Sequence, residues 1–392
     1  LLPYIKKEHL LGGIEYVEFQ TNDARLTIEN IKKGVVLGGQ VLNQATVLRL
    51  KTTAENEVNG AIIRDFFTDE EFLINAKCII NATGAWSDQF SEGKKDVRMA
   101  PSKGVHLVFN NKQFPLTKAV YFDTPDKRMI FAIPDENCTY LGTTDTFEND
   151  NIDELKVNQA DVTYLLAAAN SMFPSLDLKT DDVISQWVGV RPLIAEKGKS
   201  PSEVSRKHEI FVEENGLFTI AGGKLTGYRK MAQKIVDQVI ATHFQLKELN
   251  ECTTKEITLT GSDFVNESDF EIKREQFISQ ALQNGWGEDA AAWVFKLFGS
   301  QSVSVLDTIT TIESDLPQYL LKALVFSMQK EYTNSPSDFL IRRTNLCFFY
   351  PELAKKHYTE IARVMYQILD YPEKVSTIFN EKLKNDFEVA YQ

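Results

Sequence analysis

At 392 residues, 43% of them apolar, the chain is long enough for two or three domains with proper cores. Its 43 basic against 55 acidic residues leave a formal net charge of −12, which excludes a general nucleic-acid binder, since phosphate contacts need clustered Lys and Arg. No apolar run reaches the roughly eighteen residues of a membrane-spanning helix, and Cys78, Cys138, Cys252 and Cys347 lie too far apart for a zinc site or a disulfide framework, as fits a reducing cytosol.

The chain opens Leu-Leu-Pro-Tyr, without an initiator methionine or a secretory leader, and reads as a piece of something longer. Asn22-Asp23 then caps a helix over Ala24 to Lys33, which Gly34 is expected to close. Val47 to Leu50, Ala61 to Phe66 after an Asn59-Gly60 turn signal, and Phe72 to Ile74 read as an antiparallel meander. Lys77 to Ala82 follows as a buried strand ending in Thr83-Gly84, and short strands at Val105 to Phe109, Met129 to Ile133 and Tyr140 to Gly142 predict a second sheet. A helix from Asn158 to Phe173 stops at Pro174, and Val188 to Val190 delivers Arg191 to the end of a buried strand. The polar stretch Glu196 to Ser205 reads as a loop, and from about Ser268 to Gln392 helical periodicity dominates.

Two turns stand out as ligand sites. In Gly216-Leu-Phe-Thr-Ile-Ala-Gly-Gly-Lys-Leu-Thr-Gly-Tyr-Arg-Lys-Met231 an apolar strand meets a diglycine turn and a helix start. Ligands in open α/β sheets sit beyond the carboxyl ends of strands, and Lys224, Thr226 and Arg229 suit an anionic guest. The second turn, Ala82-Thr83-Gly84 with Trp86 beyond it, follows another strand and lets backbone approach a flat ring. If the two strands share a sheet, both turns converge on one ligand.

The order of the segments INATGAW, SKGVHLV, GVRPL, SRKHEI, GLFTIAGGKLTGYRKMA and, near the C-terminus, SDFLIRRT resembles the FAD-dependent glycerol-3-phosphate dehydrogenases of the amino-acid-oxidase-like flavoprotein superfamily. The superfamily's G-x-G-x-x-G is not in these residues, so the chain resembles a fragment that begins after the N-terminal dinucleotide-binding unit. The fold class implied is α/β (α+β). It comprises an incomplete, Rossmann-like FAD-binding domain over residues 1–97 and 188–250, an antiparallel-sheet substrate domain over 98–187, and an all-α domain over 251–392.

The resemblance implies FAD as cofactor and oxidation of sn-glycerol 3-phosphate to dihydroxyacetone phosphate. His106 becomes the candidate base, because a neutral imidazole accepts the hydroxyl proton as hydride leaves the neighbouring carbon. Arg191 becomes the residue that orients substrate oxygens and steadies developing alkoxide character, with half of an internal ion pair as its alternative reading. Arg206 is open between phosphate binding and an ordinary surface arginine. Lys224 is open between donating to the flavin's pyrimidine end and pairing with the substrate phosphate, and Thr226 between the cofactor and a helix cap. Ala82, Thr83, Gly84, Trp86, Gly222, Gly223, Lys224, Leu225 and Thr226 are the expected cofactor contacts. Arg342 and Arg343 read as structural, with Asp338 placed to pair with Arg342.

The implied partners are the small-molecule substrate and a quinone acceptor, with peripheral contact at the cytoplasmic membrane face, no nucleic acid, and a homodimer as the expected assembly. The rivals are an oxidase using oxygen, an amino-acid oxidase of the same superfamily, and a fragment or interaction module unable to hold FAD. Thirteen residues separate Arg191 from Ser205, where the oxidase branch commonly carries a long insertion, so the spacing favours the dehydrogenase.

Overall fold

The computed structural model describes residues 4–91, 98–147, 151–195, 207–244 and 250–391. It divides into two compact units, Leu1–Leu10 with Gln44–Glu256, and Leu11–Asn43 with Ile257–Gln392.

Helix α1, Asp23–Val36, belongs to the second unit although it precedes every strand in the chain. Asn22 caps it by accepting from the Arg25 amide at 3.1 Å. It runs through Gly34, the expected stop, and ends where Gly38 takes φ +96° and the Gly39 amide bonds back to the Gly34 carbonyl.

In the first unit the meander is β1 (Ala45–Thr52), β2 (Val58–Asp65) and β3 (Glu71–Asn75), all antiparallel. Asn59-Gly60 lies inside β2 and is not its turn; the chain reverses at Thr53–Glu57, with Asn56 at φ +66°. Gly60 answers a close approach instead, since a Cβ there would stand 2.7 Å from the Ile74 carbonyl oxygen. The expected strand over 77–82 reduces to β4, Ile80–Asn81, which has a strand partner on one side only among the described residues.

The second sheet is built from β5 (Ser102–Asn110), β6 (Val120–Asp123), β7 (Met129–Pro134), β8 (Cys138–Gly142), β9 (Thr146–Phe147) and, after helix α2 (Gln159–Met172), β10 (Val183–Arg191). Its order is β10-β5-β8-β7-β6, with β9 prolonging the β8 side of β5. Alternation along β5 divides the sheet's faces. Val105, Leu107 and Phe109 pack with Leu165, Ala169 and Phe173 of the α2 region. The same face carries a buried Lys103–Asp161 ion pair at 2.9 Å. Ser102, Gly104 and His106 point the other way. The helix starts after Asn158, as the sequence predicts, and Asn158 and Asp161 close a reciprocal capping box on it.

A third, small sheet orders β11 (His208–Val212), β12 (Phe218–Gly222) and β4. Helix α3, Tyr228–Val239, lays Ile235 and Val239 on Phe218 and Ile220.

The second unit adds α4 (Glu267–Gln283), α5 (Glu288–Phe298), α6 (Ser302–Leu306), α7 (Gln318–Lys330), α8 (Leu346–Phe349), α9 (Pro351–Leu369) and α10 (Glu373–Tyr391) around one apolar core. A buried charge cluster ties α1 into it. Glu331 accepts from Arg25 at 2.7 Å and from Lys32 at 3.0 Å, while Glu29 pairs with the same two cations. Arg343, from the π-helical turn Asp338–Arg343, donates to the Glu331 carbonyl at 2.7 Å, and Arg342 meets Asp338 at 3.5 Å. Burial would raise the Glu331 carboxyl, but Arg25 and Lys32 outweigh it and hold it down at about 2.

Candidate active site

His106 sits mid-strand in β5, opposite Trp187 of β10 and Gly142 of β8, with Gly142 in turn opposite Phe131 of β7. One row across four strands therefore carries Phe131, Gly142, His106 and Trp187 on the face away from α2. The indole stacks on the imidazole at 4.6 Å between centroids and 11° between planes, and Phe131 lies 5.6 Å away. Tyr140 closes the group at 5.8 Å from Trp187 and 6.2 Å from Phe131. Gly142 makes room for the imidazole edge, because a Cβ there would fall 2.3 Å from His106 Cδ2.

His106 Nδ1 is sheltered and makes no hydrogen bond to the described residues. Burial first, and the Arg191 charge second, push the ring down from 6.5 to about 3, so it is neutral in the folded protein at ordinary pH.

Arg191 ends β10 on the same face, in register with Ser102, two pairs beyond the Gly104–Gly189 and Trp187–His106 series. Its NH1 donates to Asp145 Oδ1 at 3.0 Å and to the Thr144 carbonyl at 3.2 Å, and Ser102 Oγ donates to the same carboxylate oxygen at 2.5 Å. Gly104 leaves space for the guanidinium, whose nitrogens lie 3.1 Å from where a Cβ would be. The arginine is thus both half of an ion pair and a cation fixed at the edge of the aromatic group. Such anchoring holds a bidentate donor in one orientation before any ligand arrives.

The two predicted turns do share a sheet. β4 and β12 run parallel, with Ile80 beside Phe218 and Asn81 beside Thr219, so both turns leave the carboxyl ends of neighbouring strands. Buried Asn81 organises the first turn, donating to the Ser87 carbonyl at 2.9 Å and accepting from Thr83 Oγ1 at 2.7 Å. Ala82 and Thr83 are exposed, and Gly84, at φ +63°, has open space where a side chain would be. Trp86 Nε1 donates to Asp153 at 2.9 Å.

At the second turn the room left by the glycines is used by the protein itself. A Cβ on Gly222 would stand 2.5 Å from the Lys207 carbonyl, and one on Gly223 would stand 2.6 Å from Met231 Sδ. Lys224, Leu225 and Thr226 are exposed, and Thr226 caps neither the 3₁₀ turn Leu225–Gly227 nor α3. The chain beyond Arg191 joins the two regions: Ile194 packs against Gly222, three residues and at most about 10 Å of chain from Arg191.

Arg206 and the loop 196–205 lie outside the described residues. His9, His208, His243 and His357 are not on this face; His208 meets Lys234 at 3.3 Å. Asp145, Ser102 and Trp187 are the members that the sequence reading did not single out. Alternation was the available signal, since Ser102, Gly104 and His106, and Trp187, Gly189 and Arg191, are spaced by two.

Residues 1–229 match the family described as FAD dependent oxidoreductase, and residues 252–375 match the C-terminal domain of alpha-glycerophosphate oxidase. The aerobic glycerol-3-phosphate dehydrogenase of Staphylococcus epidermidis is 40% identical, covering 97% of this chain and 70% of that protein. That of Staphylococcus aureus is 39% identical, covering 99% of this chain and 71% of that protein. The structure of the glycerol-3-phosphate dehydrogenase from Bacillus halodurans complexed with FAD superposes with a TM-score of 0.89 at 39% identity, covering 99% of this chain and 77% of that one. With matches across both units and this identity over nearly all its residues, the chain belongs to the FAD-dependent oxidoreductases, among the aerobic glycerol-3-phosphate dehydrogenases.

Proposed function

We propose that this chain oxidises sn-glycerol 3-phosphate to dihydroxyacetone phosphate on the His106 face of the second sheet, with FAD as its cofactor and a quinone as the final acceptor. The observation that carries the reading is a neutral imidazole, its sheltered Nδ1 without a protein partner among the described residues, beside a carboxylate-anchored arginine.

The residues present fit the ring end of a flavin. Gly84 leaves open space at one turn, Ala82, Thr83 and Lys224 to Thr226 are exposed around the parallel pair, and Trp86 follows them. When bound, the flavin supplies the two-electron acceptor. Lys224, at that turn, donates either to the flavin's pyrimidine end or to the substrate phosphate.

The substrate's C2 hydroxyl gives its proton to the His106 imidazole while hydride departs from C2. Arg191 holds the substrate oxygens and steadies alkoxide character as the proton leaves. Burial and then the positive Arg191 keep the imidazole neutral, and a phosphate dianion entering beside Arg191 offsets the arginine's field and makes the imidazole a better base. Trp187, Tyr140 and Phe131 keep water from the reacting carbon. Arg206 joins Lys224 in phosphate recognition. In this reading a homodimer meets a membrane-borne quinone peripherally, at the cytoplasmic face, in the service of glycerol breakdown; no described helix is long and apolar enough to cross a membrane.

Steady-state turnover of the flavin-loaded protein with oxygen and with a short-chain quinone analogue tests the acceptor. The quinone is expected to be reduced much faster than peroxide forms; peroxide production at the same rate would make the protein an oxidase. Arg206→Ala is expected to raise KM for glycerol 3-phosphate by about 10- to 100-fold, the loss of one charge-assisted hydrogen bond. An unchanged KM removes Arg206 from the site and favours an amino acid as substrate.

A further inference from the structure

We propose that Trp187 positions His106, so that the base is oriented by an aromatic clamp and not by a hydrogen bond. The proposal rests on His106 being the base of the reaction above. A histidine that moves protons usually has its ring and tautomer set by a hydrogen bond from one nitrogen to a carboxylate or carbonyl. His106 has none among the described residues, and its sheltered Nδ1 is left without a partner. The ring torsion of histidine is intrinsically broad, so something else must hold it.

Three surfaces do so. Trp187 covers one face at 4.6 Å and 11°, Phe131 lies 5.6 Å away, and Gly142 meets the edge so closely that a Cβ would be 2.3 Å from Cδ2. The stacking is imposed by strand register, since Trp187 and His106 are direct partners in the β10–β5 pair. Tyr140, 5.8 Å from the indole, braces Trp187 in turn.

Arg191 comes from β10 with Asp145 bonded to it, and Tyr140 comes from β8; Lys103 and Asp161 pair with each other on the opposite face of β5. No carboxylate among these takes the orienting role, because Asp145 is engaged by Arg191 and Ser102. An indole plate also denies water access to the imidazole, which disfavours the protonated ring.

The test is a ¹H–¹⁵N correlation spectrum of the five histidine rings, with His106 assigned by its loss in His106→Gln, recorded against pH for the wild type, Trp187→Leu and Trp187→Phe. In the wild type His106 is expected to stay neutral, in one tautomer, over about pH 5–8. In Trp187→Leu its midpoint is expected to rise by at least about one pH unit toward the free value, with tautomers mixing, and kcat to fall at least about tenfold. Trp187→Phe keeps a ring plate and is expected to restore most of both; if the leucine variant does not fold, a smaller shift in Phe in the same direction carries the result. A His106 titration and tautomer unchanged by loss of the indole would overturn the proposal, even if kcat falls. That failure is distinct from failure of the base assignment, which would appear as full activity in His106→Gln.

Discussion

His106→Gln is expected to lower kcat by about 10²- to 10⁴-fold while leaving KM for glycerol 3-phosphate within a few-fold, the pattern of a lost general base. The split follows from geometry. The imidazole stands against Trp187 and Gly142, whereas the cation that holds substrate oxygens, Arg191, is fixed independently by Asp145 and the Thr144 carbonyl. Glutamine occupies similar space and leaves that anchor intact, but it cannot accept a proton near neutral pH. Gly142→Ala is a second route to the same loss. Its Cβ would overlap His106 Cδ2 at 2.3 Å, so the imidazole must move, and a displacement of about 1 Å at a reacting group costs on the order of 10²-fold. Steady-state kinetics of both variants checks the pair. A raised KM with unchanged kcat would assign His106 to binding.

The second large effect lies in the helical unit. Glu331→Ala is expected to destabilise it by about 3–5 kcal/mol, because Arg25 and Lys32 are left buried with Glu29 as the one carboxylate for two cations. The same group sets an acid limit. Its folded value of about 2 lies below the ordinary 4.5, so the unfolded chain binds the proton more readily as pH falls. The stabilisation is fully present above pH 4.5 and is lost on acidification through about 2; at about 1.36 kcal/mol per unit it is worth on the order of 3 kcal/mol. His106 acts in the same direction. Its depressed value means that the unfolded chain gains a proton first, so stability declines between 6.5 and about 3. Urea midpoints as a function of pH for the wild type and Glu331→Gln read the carboxylate's share: the variant is expected to be less stable at neutral pH and less sensitive below pH 4.5. Parallel curves for the two proteins would count against the charge cluster.

How much of this was legible depended on where the determining contacts lie in the chain. The capping box of Asn158 and Asp161 spans three positions and could be read directly, as could the helices from Glu267 onward, because local spacing carries them. The convergence of the Ala82–Gly84 and Gly222–Gly223 turns was also readable, as two strands each ending in small residues. Asn59-Gly60 misled because the signal for a hairpin turn is the same dipeptide that a strand uses when a neighbouring carbonyl comes within 2.7 Å of a missing Cβ. Asp145, the partner of Arg191, is 46 positions away and Glu331, the distant partner of Arg25, is 306 away, and neither separation leaves a trace in local pattern. For the same reason the DFLIRRT segment showed its Asp338–Arg342 pair but not that Arg343 reaches the Glu331 backbone.

The role of His106 in oxidising glycerol 3-phosphate is read out by anaerobic stopped-flow reduction of the flavin-loaded protein by sn-glycerol 3-phosphate and by its C2-deuterated form, in the wild type and in His106→Gln. The oxidised flavin absorbance is expected to fall rapidly in the wild type, more slowly with the deuterated substrate, and at least about 10²-fold more slowly in the variant, with glycerol itself a poor reductant. Reduction at equal rates in the two proteins, or by glycerol as readily as by its phosphate, would contradict that expectation.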